Sequence, residues 1–160
     1  MNISRYPVLP ALALIVLLAS PACWSRGVYL QVPDFVAQAF DGKTVDQQKL
    51  WLSKAQYRQA KKILDRYKGL RVRYWQQGKR TAWVLNEIGK ERPITIGVVI
   101  ENHRIKWIRI LAFRESRGGE VRHGFFLDQF KNLNLTDEWR LSGYIDGITG
   151  ATLSVRAVTK

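Results

Sequence analysis

The chain has 160 residues, enough for one hydrophobic core and one domain's worth of structure, and its 46% hydrophobic and 24% charged content is that of a globular protein rather than a disordered one. Lys and Arg number 26 against 13 Asp and Glu, a net charge of +13, which suits nucleic acid, an anionic membrane surface or an acidic ligand. A single cysteine excludes an internal disulfide, a cysteine zinc cluster and an iron–sulfur site.

In chain order, Met1 to about Ser25 reads as an export signal. Arg5 supplies the positive start, Val8 to Ala19 is apolar and broken only by Pro10, and Ser20-Pro21-Ala22 gives small residues for cleavage. The apolar run falls short of the roughly 20 residues that span a bilayer, which favours a cleaved signal over a retained anchor. Cleavage at Ala22 or Ser25 competes with lipidation of Cys23, where Ser20 stands in place of the usual aliphatic residue. Export keeps the protein away from the genome, so the basic surface is expected to meet anionic lipid, an acidic partner or a phosphorylated ligand, not nucleic acid.

Residues 26 to about 50 carry weak periodicity. Val28-Tyr29-Leu30 and Phe35 to Phe40 are expected to form a short strand or helix joined by Asp41-Gly42-Lys43. Ser53 and Gln56 fit a capping box, which starts a helix from Lys54 to about Tyr67. Tyr57, Ala60, Ile63, Leu64 and Tyr67 lie on one face of that helix, and Gly69 stops it. From Leu70 the period changes to two. Leu70 to Trp75, Thr81 to Ile88, Ile94 to Ile100 and Ile105 to Phe113 read as four antiparallel strands, joined by turns at Gln77-Gly78 and Glu101-Asn102-His103-Arg104. In the first of these the arginines are expected to face water and the aromatics the core. A charged loop, Arg114 to Glu120, precedes a short helix over Phe125 to Phe130. Leu141 to Ile145 reads as one more short strand. The fold class is α+β, an antiparallel sheet with packing helices. The domain division is a signal at 1–25, an extension with one helix at 26–69, and the functional domain at 70–160.

Enzyme signatures are sparse. His103 and His123 form no metal motif, Gly118-Gly119 lacks the Lys-Ser/Thr of a phosphate loop, and Ser116 lacks a nucleophile-elbow frame. The informative stretch is Asp146-Gly147-Ile148-Thr149-Gly150-Ala151-Thr152-Leu153-Ser154. Asp146-Gly147 favours a turn and Thr149 can cap a helix starting near Leu153. Gly150 and Ala151 leave the backbone bare, and Thr152 falls in the first helical turn, where free N–H groups and the helix dipole favour a phosphate. A capped turn with no ligand fits the same residues.

This stretch resembles the flavinylation motif of the FMN-binding domain family, known from the sodium-translocating NADH:quinone reductase and the Rnf electron-transport complex. The family pattern is Asp-Gly-x-Ser/Thr-Gly-Ala-Thr followed by a small hydroxyl residue. The resemblance extends over about Leu70 to Lys160, with Glu115 and Gly118-Gly119 where the family carries its glutamate and glycine-containing flavin loop. Here Ser116-Arg117-Gly118 replaces the usual Thr-Pro-Gly. The resemblance implies FMN esterified through its phosphate to Thr152 by a flavin transferase that uses FAD and magnesium outside the cytoplasm. It implies a cofactor site of Thr152, Asp146, Gly147, Thr149, Gly150, Ala151, Leu153, Ser154, Glu115 and Gly118, with no metal and no catalytic residue of the chain's own. Arg117, Arg122 and His123 are further candidates for the flavin. The expected function is that of an exported, periplasmic or membrane-associated electron carrier with membrane or soluble redox partners. A flavin-free envelope binding module and a flavin-dependent reductase stay as alternatives.

Overall fold

The computed structural model describes residues 27–64, 69 and 71–160; the signal-like segment and Tyr67 lie outside the described residues. Five strands form one antiparallel sheet in sequence order: β1 (Gln47–Trp51), β2 (Arg71–Gln77), β3 (Arg80–Ile88), β4 (Pro93–Glu101) and β5 (Arg104–Phe113). Four helices accompany it: α1 (Val32–Ala39), α2 (Lys54–Ile63), α3 (Gly124–Leu127) and α4 (Thr152–Thr159). The α+β expectation holds.

The sheet has two apolar faces because β4 and β5 are apolar at nearly every position, so neither face can be left to water. On one face Trp75, Ala82, Val84, Val99 and Leu111 pack beneath α1 through Phe35, Val36, Ala39 and Phe40. On the other, Ile94, Ile96, Ile108 and Ile110 pack against Val121, Phe126, Phe130, Ile145, Ala157 and Val158, from α3, α4 and the loops around them.

The contact between α1 and β4 needs a missing side chain. A Cβ at Gly97 would lie 2.5 Å from Phe35 Cε2, so only glycine lets this ring, which is fully buried, meet the sheet. The ring also meets Trp107 edge-on, with centroids 5.5 Å apart. Arg80 fastens the end of the helix: it donates to the Ala39 carbonyl at 2.9 Å, Asp41 at 2.8 Å and Glu101 at 2.7 Å.

Several expectations are refined. Ser53 and Gln56 make both bonds of the capping box. Asn102 and His103 form the β4–β5 turn, both at positive φ. The segment before residue 70 holds two helices and strand β1, not one helix alone. The polar β1 has only one half-buried residue, Leu50, and so carries no apolar alternation to betray it. Leu141–Ile145 is not a strand; it contributes one isolated bridge, Leu135 to Leu141. In β2, Trp75 falls on the same face as Arg71 and Arg73, since the three alternate with Val72 and Tyr74, and it is buried because that end packs in the α1 core.

Phe35→Ala is expected to lower the unfolding free energy by about 3–5 kcal/mol. Gly97→Ala alone should cost about 1–3 kcal/mol through overpacking. In the Phe35→Ala background that second penalty should largely vanish, because the clashing ring is gone. Denaturant unfolding of the four-member cycle measures this coupling; additive losses would refute the close approach as its cause.

Candidate functional site

The loop after β5 is held by one side-chain oxygen. Glu115 Oε1 accepts hydrogen bonds from the backbone N–H groups of Lys90, Glu91 and Arg92, at 2.7, 2.7 and 2.8 Å. These three amides belong to the β3–β4 turn. Burial alone would raise the Glu115 carboxyl; the three backbone bonds, with help from the Arg92 charge, outweigh it and hold the group below its ordinary value. The glutamate therefore fastens the 114–118 loop to the 89–92 turn.

Three residues further on, Gly118 sits at φ 81° and is buried. A Cβ there would collide with Ser154 Oγ and lie 3.6 Å from Ala151 Cα. Gly118, Ala151 and Ser154, far apart in sequence, thus meet in space. Ser154 is 4% exposed, and its hydroxyl has no hydrogen-bond partner among the described residues. A buried hydroxyl without a partner is costly, and marks a place where a polar group is wanted.

The helix start beside it is also unsatisfied. Helix α4 begins at Thr152, and its N-cap is Ala151, which has no side-chain oxygen. Thr149 does not cap the helix as expected. It stands three residues before Thr152 in a turn closed by Ala151 N–H to the Ile148 carbonyl at 3.0 Å, too early in the chain to be the N-cap. The first backbone bond of the helix runs from Val155 N–H to Ala151 C=O, so the N–H groups of Thr152, Leu153 and Ser154 have no partner among the described residues. Together with the helix dipole they suit an anion.

The other motif residues leave this point open. Thr152, Thr149 and Asp146 are exposed, and Leu153 is 46% exposed. A Cβ at Gly147 or Gly150 would meet nothing within 4 Å. The Asp146 N–H donates to Gln129 Oε1 at 2.7 Å. A small cleft of about 120 Å3 runs along α4 from Leu153 to Lys160, lined also by Glu87, Gly89, Lys90 and Arg156. Sequence reasoning does not single out Lys90 or Arg156; their only signal is a basic turn between two strands and a basic residue in the last helix.

Arg122 and His123 are not part of this cleft. Arg122 lies over Tyr29 at 4.9 Å, His123 stacks on Phe125, and both line a separate open pocket with Arg109. Arg117 is exposed on the loop. Among the described residues no group of His, Cys, Asp and Glu could hold a metal ion.

Residues 89–160 match the FMN-binding domain family, which bears out the resemblance over that span; the match begins at the turn that holds Glu115. No curated protein and no solved structure matches the chain. The family gives FMN as the ligand class, and the residues fit its phosphate: free amides at Thr152–Ser154 and an unpartnered buried hydroxyl.

A carboxyl whose folded-state pKa is depressed stabilises the fold above its unfolded value, about 4.3, and loses that contribution as pH falls through the folded value. Glu115→Gln is therefore expected to destabilise the protein at pH 7 by about 1 kcal/mol, with faster amide exchange at residues 90–92. The difference from the parent should shrink as pH drops below about 4.3. A gap that stays constant into acid would contradict the anchoring role of the ionised carboxylate.

Proposed function

We propose that the protein is an exported electron carrier with FMN joined covalently to Thr152. The observation that carries this reading is the exposed Thr152 hydroxyl at the uncapped start of α4, inside a motif of the family's flavinylation pattern. The Thr152 oxygen becomes the bridging atom of a phosphoester. A flavin transferase supplies FAD, AMP leaves, and the hydroxyl proton is lost with it. Gly147 and Gly150 leave the approach clear, and Asp146 is free to orient the segment or to help hold the transferase's magnesium. The amides of Thr152 to Ser154 then hold the phosphate, with Lys90 and Arg156 adding positive charge.

Bound FMN supplies the redox chemistry, taking up and releasing electrons one or two at a time. The chain supplies position and charge. Glu115 and Gly118 set the wall beside the phosphate, and Leu153 offers an apolar contact. The basic surface suits docking to acidic redox partners or to an anionic membrane face. The signal-like Met1 to Ser25 supports an extracytoplasmic location, where flavin transferases act. Among the described residues, no helix is long and apolar enough to cross a membrane.

The test is an intact mass of the protein recovered after export from cells with a flavin transferase, beside Thr152→Ala. The expected result is a gain of FMN less water in the parent and none in the variant. An unmodified parent, while a known carrier in the same cells is modified, would overturn the assignment. If charge guides docking, electron exchange with a redox partner should slow as ionic strength rises.

A further inference from the structure

A large cavity among the described residues lies away from Thr152. It has a volume of about 580 Å3, within the roughly 300–1,000 Å3 typical of small-molecule sites. Its floor is the sheet face bearing Ile96, Val98 and Ile108, and its walls come from Ile63 and Leu64 at the end of α2, the loop before Ile145, and the last turn of α4. Thr152 opens that helix, so the wall formed by Ala157 and Val158 lies about 8–9 Å further along its axis.

Three observations specify what it would take. The lining is overwhelmingly apolar, and an apolar void far smaller than this is already able to bind a hydrocarbon. The two charged side chains buried in its wall neutralise each other: Lys160 Nζ lies 3.6 Å from Glu87 Oε1, and both side chains are largely buried. The interior therefore offers no net charge to an ionic ligand. At the cavity gather half of the exposed large apolar side chains of the described residues, namely Leu85, Leu135, Trp139 and Tyr144, the last 85% exposed. Such clustering is not what a surface does by default.

The mouth is also built with strain. Trp139 has φ 62°, a left-handed conformation that a bulky aromatic rarely adopts. It is held there by a short hairpin, with Thr136 N–H on the Arg140 carbonyl at 2.8 Å and Trp139 N–H on the Thr136 carbonyl at 2.9 Å. Charged groups of both signs stand beside it: Asp137, Glu138 and Arg140, the last two 3.9 Å apart. Trp and Tyr at such a rim suit the boundary between a hydrocarbon and water.

We propose that this cavity binds one long aliphatic chain, the hydrocarbon part of a lipid. The chain lies over Ile96, Val98 and Ile108, and its polar head stays at the mouth with Trp139, Tyr144 and Arg140. The site is separate from the FMN attachment point and does not depend on flavin being bound.

The test uses a series of straight-chain alcohols, from hexanol to dodecanol, titrated by calorimetry against the mature protein with and without FMN. Affinity should rise about fourfold for each added methylene, since burying one is worth about 0.8 kcal/mol. Ala157→Phe, which fills the cavity from α4, should abolish binding. Leu85→Trp, at a partly exposed wall position that the fold tolerates more easily, should weaken it at least tenfold. An affinity independent of chain length, or unchanged by Leu85→Trp in the folded protein, would overturn the proposal. So would alcohol binding that disappears on flavin attachment, because the cavity would then be the seat of the flavin itself.

Discussion

One carboxylate oxygen organises the C-terminal half of the molecule. Glu115 Oε1 takes three backbone N–H groups of a turn that otherwise has few bonds of its own, Gly89 N–H to the Arg92 carbonyl being one. A charge-assisted bond to an ionised acceptor is stronger than its neutral counterpart, and here three share an acceptor. The consequence lies beyond the glutamate. Because the loop is fixed at Glu115, Gly118 is delivered against Ala151 and Ser154, and the start of α4 acquires its wall. A glutamine would offer an uncharged oxygen to the same three donors, and an aspartate would reach one methylene less far. A residue that looks like a ligand contact in the sequence thus supports the site from behind.

The helix start is left incomplete in a consistent way. An N-cap serine or aspartate would satisfy a free amide at Thr152–Ser154, typically gaining about 1 kcal/mol, but would occupy the space and charge that a phosphate needs. Ala151 gives up that stabilisation. Ser154, buried with an unpartnered hydroxyl, gives up more. Both losses fall at one point, next to a glycine that cannot carry a side chain, and the proposed phosphoester at Thr152 would draw on them. At the opposite face of the sheet, α1 also lacks a side-chain N-cap, but its far end is closed: Arg80 satisfies its final carbonyl, and Phe35 fills the space over Gly97.

Legibility in the sequence follows from how local each signal is. The capping box at Ser53 and Gln56, the β4–β5 turn at Asn102-His103 and the apolar, β-branched runs of β3 to β5 are set by neighbours along the chain, and each can be read. The Thr152 motif is legible for the same reason, since nine consecutive residues carry it. Strand β1 is not, because it is short and mostly exposed, and its partners in β2 lie 20 or more positions away. The bonds of Glu115 are hidden by the same rule: a carboxylate that serves backbone amides leaves no mark in the side chains it serves. The separation of Arg122 and His123 from Thr152 is likewise a matter of path, for the chain turns through Gly119–Arg122 before reaching them.

The two faces of the sheet differ in a way that bears on how the domain is used. The α1 face is sealed by residues before 89, outside the family match, so this chain closes that side with its own material. The other face is covered near Ile94 and Ile110 by α3, Val121, Phe130 and the later residues of α4, but around Val98 and Ile108 it opens into the large cavity. A sheet that closes one side with an entire helix and a ring-on-glycine contact has no physical difficulty closing the other. Leu135, Trp139 and Leu141 stand close enough to line that space, yet the bridge between Leu135 and Leu141 and the left-handed Trp139 keep the loop as a rim, not a plug. The backbone strain of this rim lies in one residue, Trp139, and the turn between Thr136 and Arg140 that holds it is closed by backbone bonds.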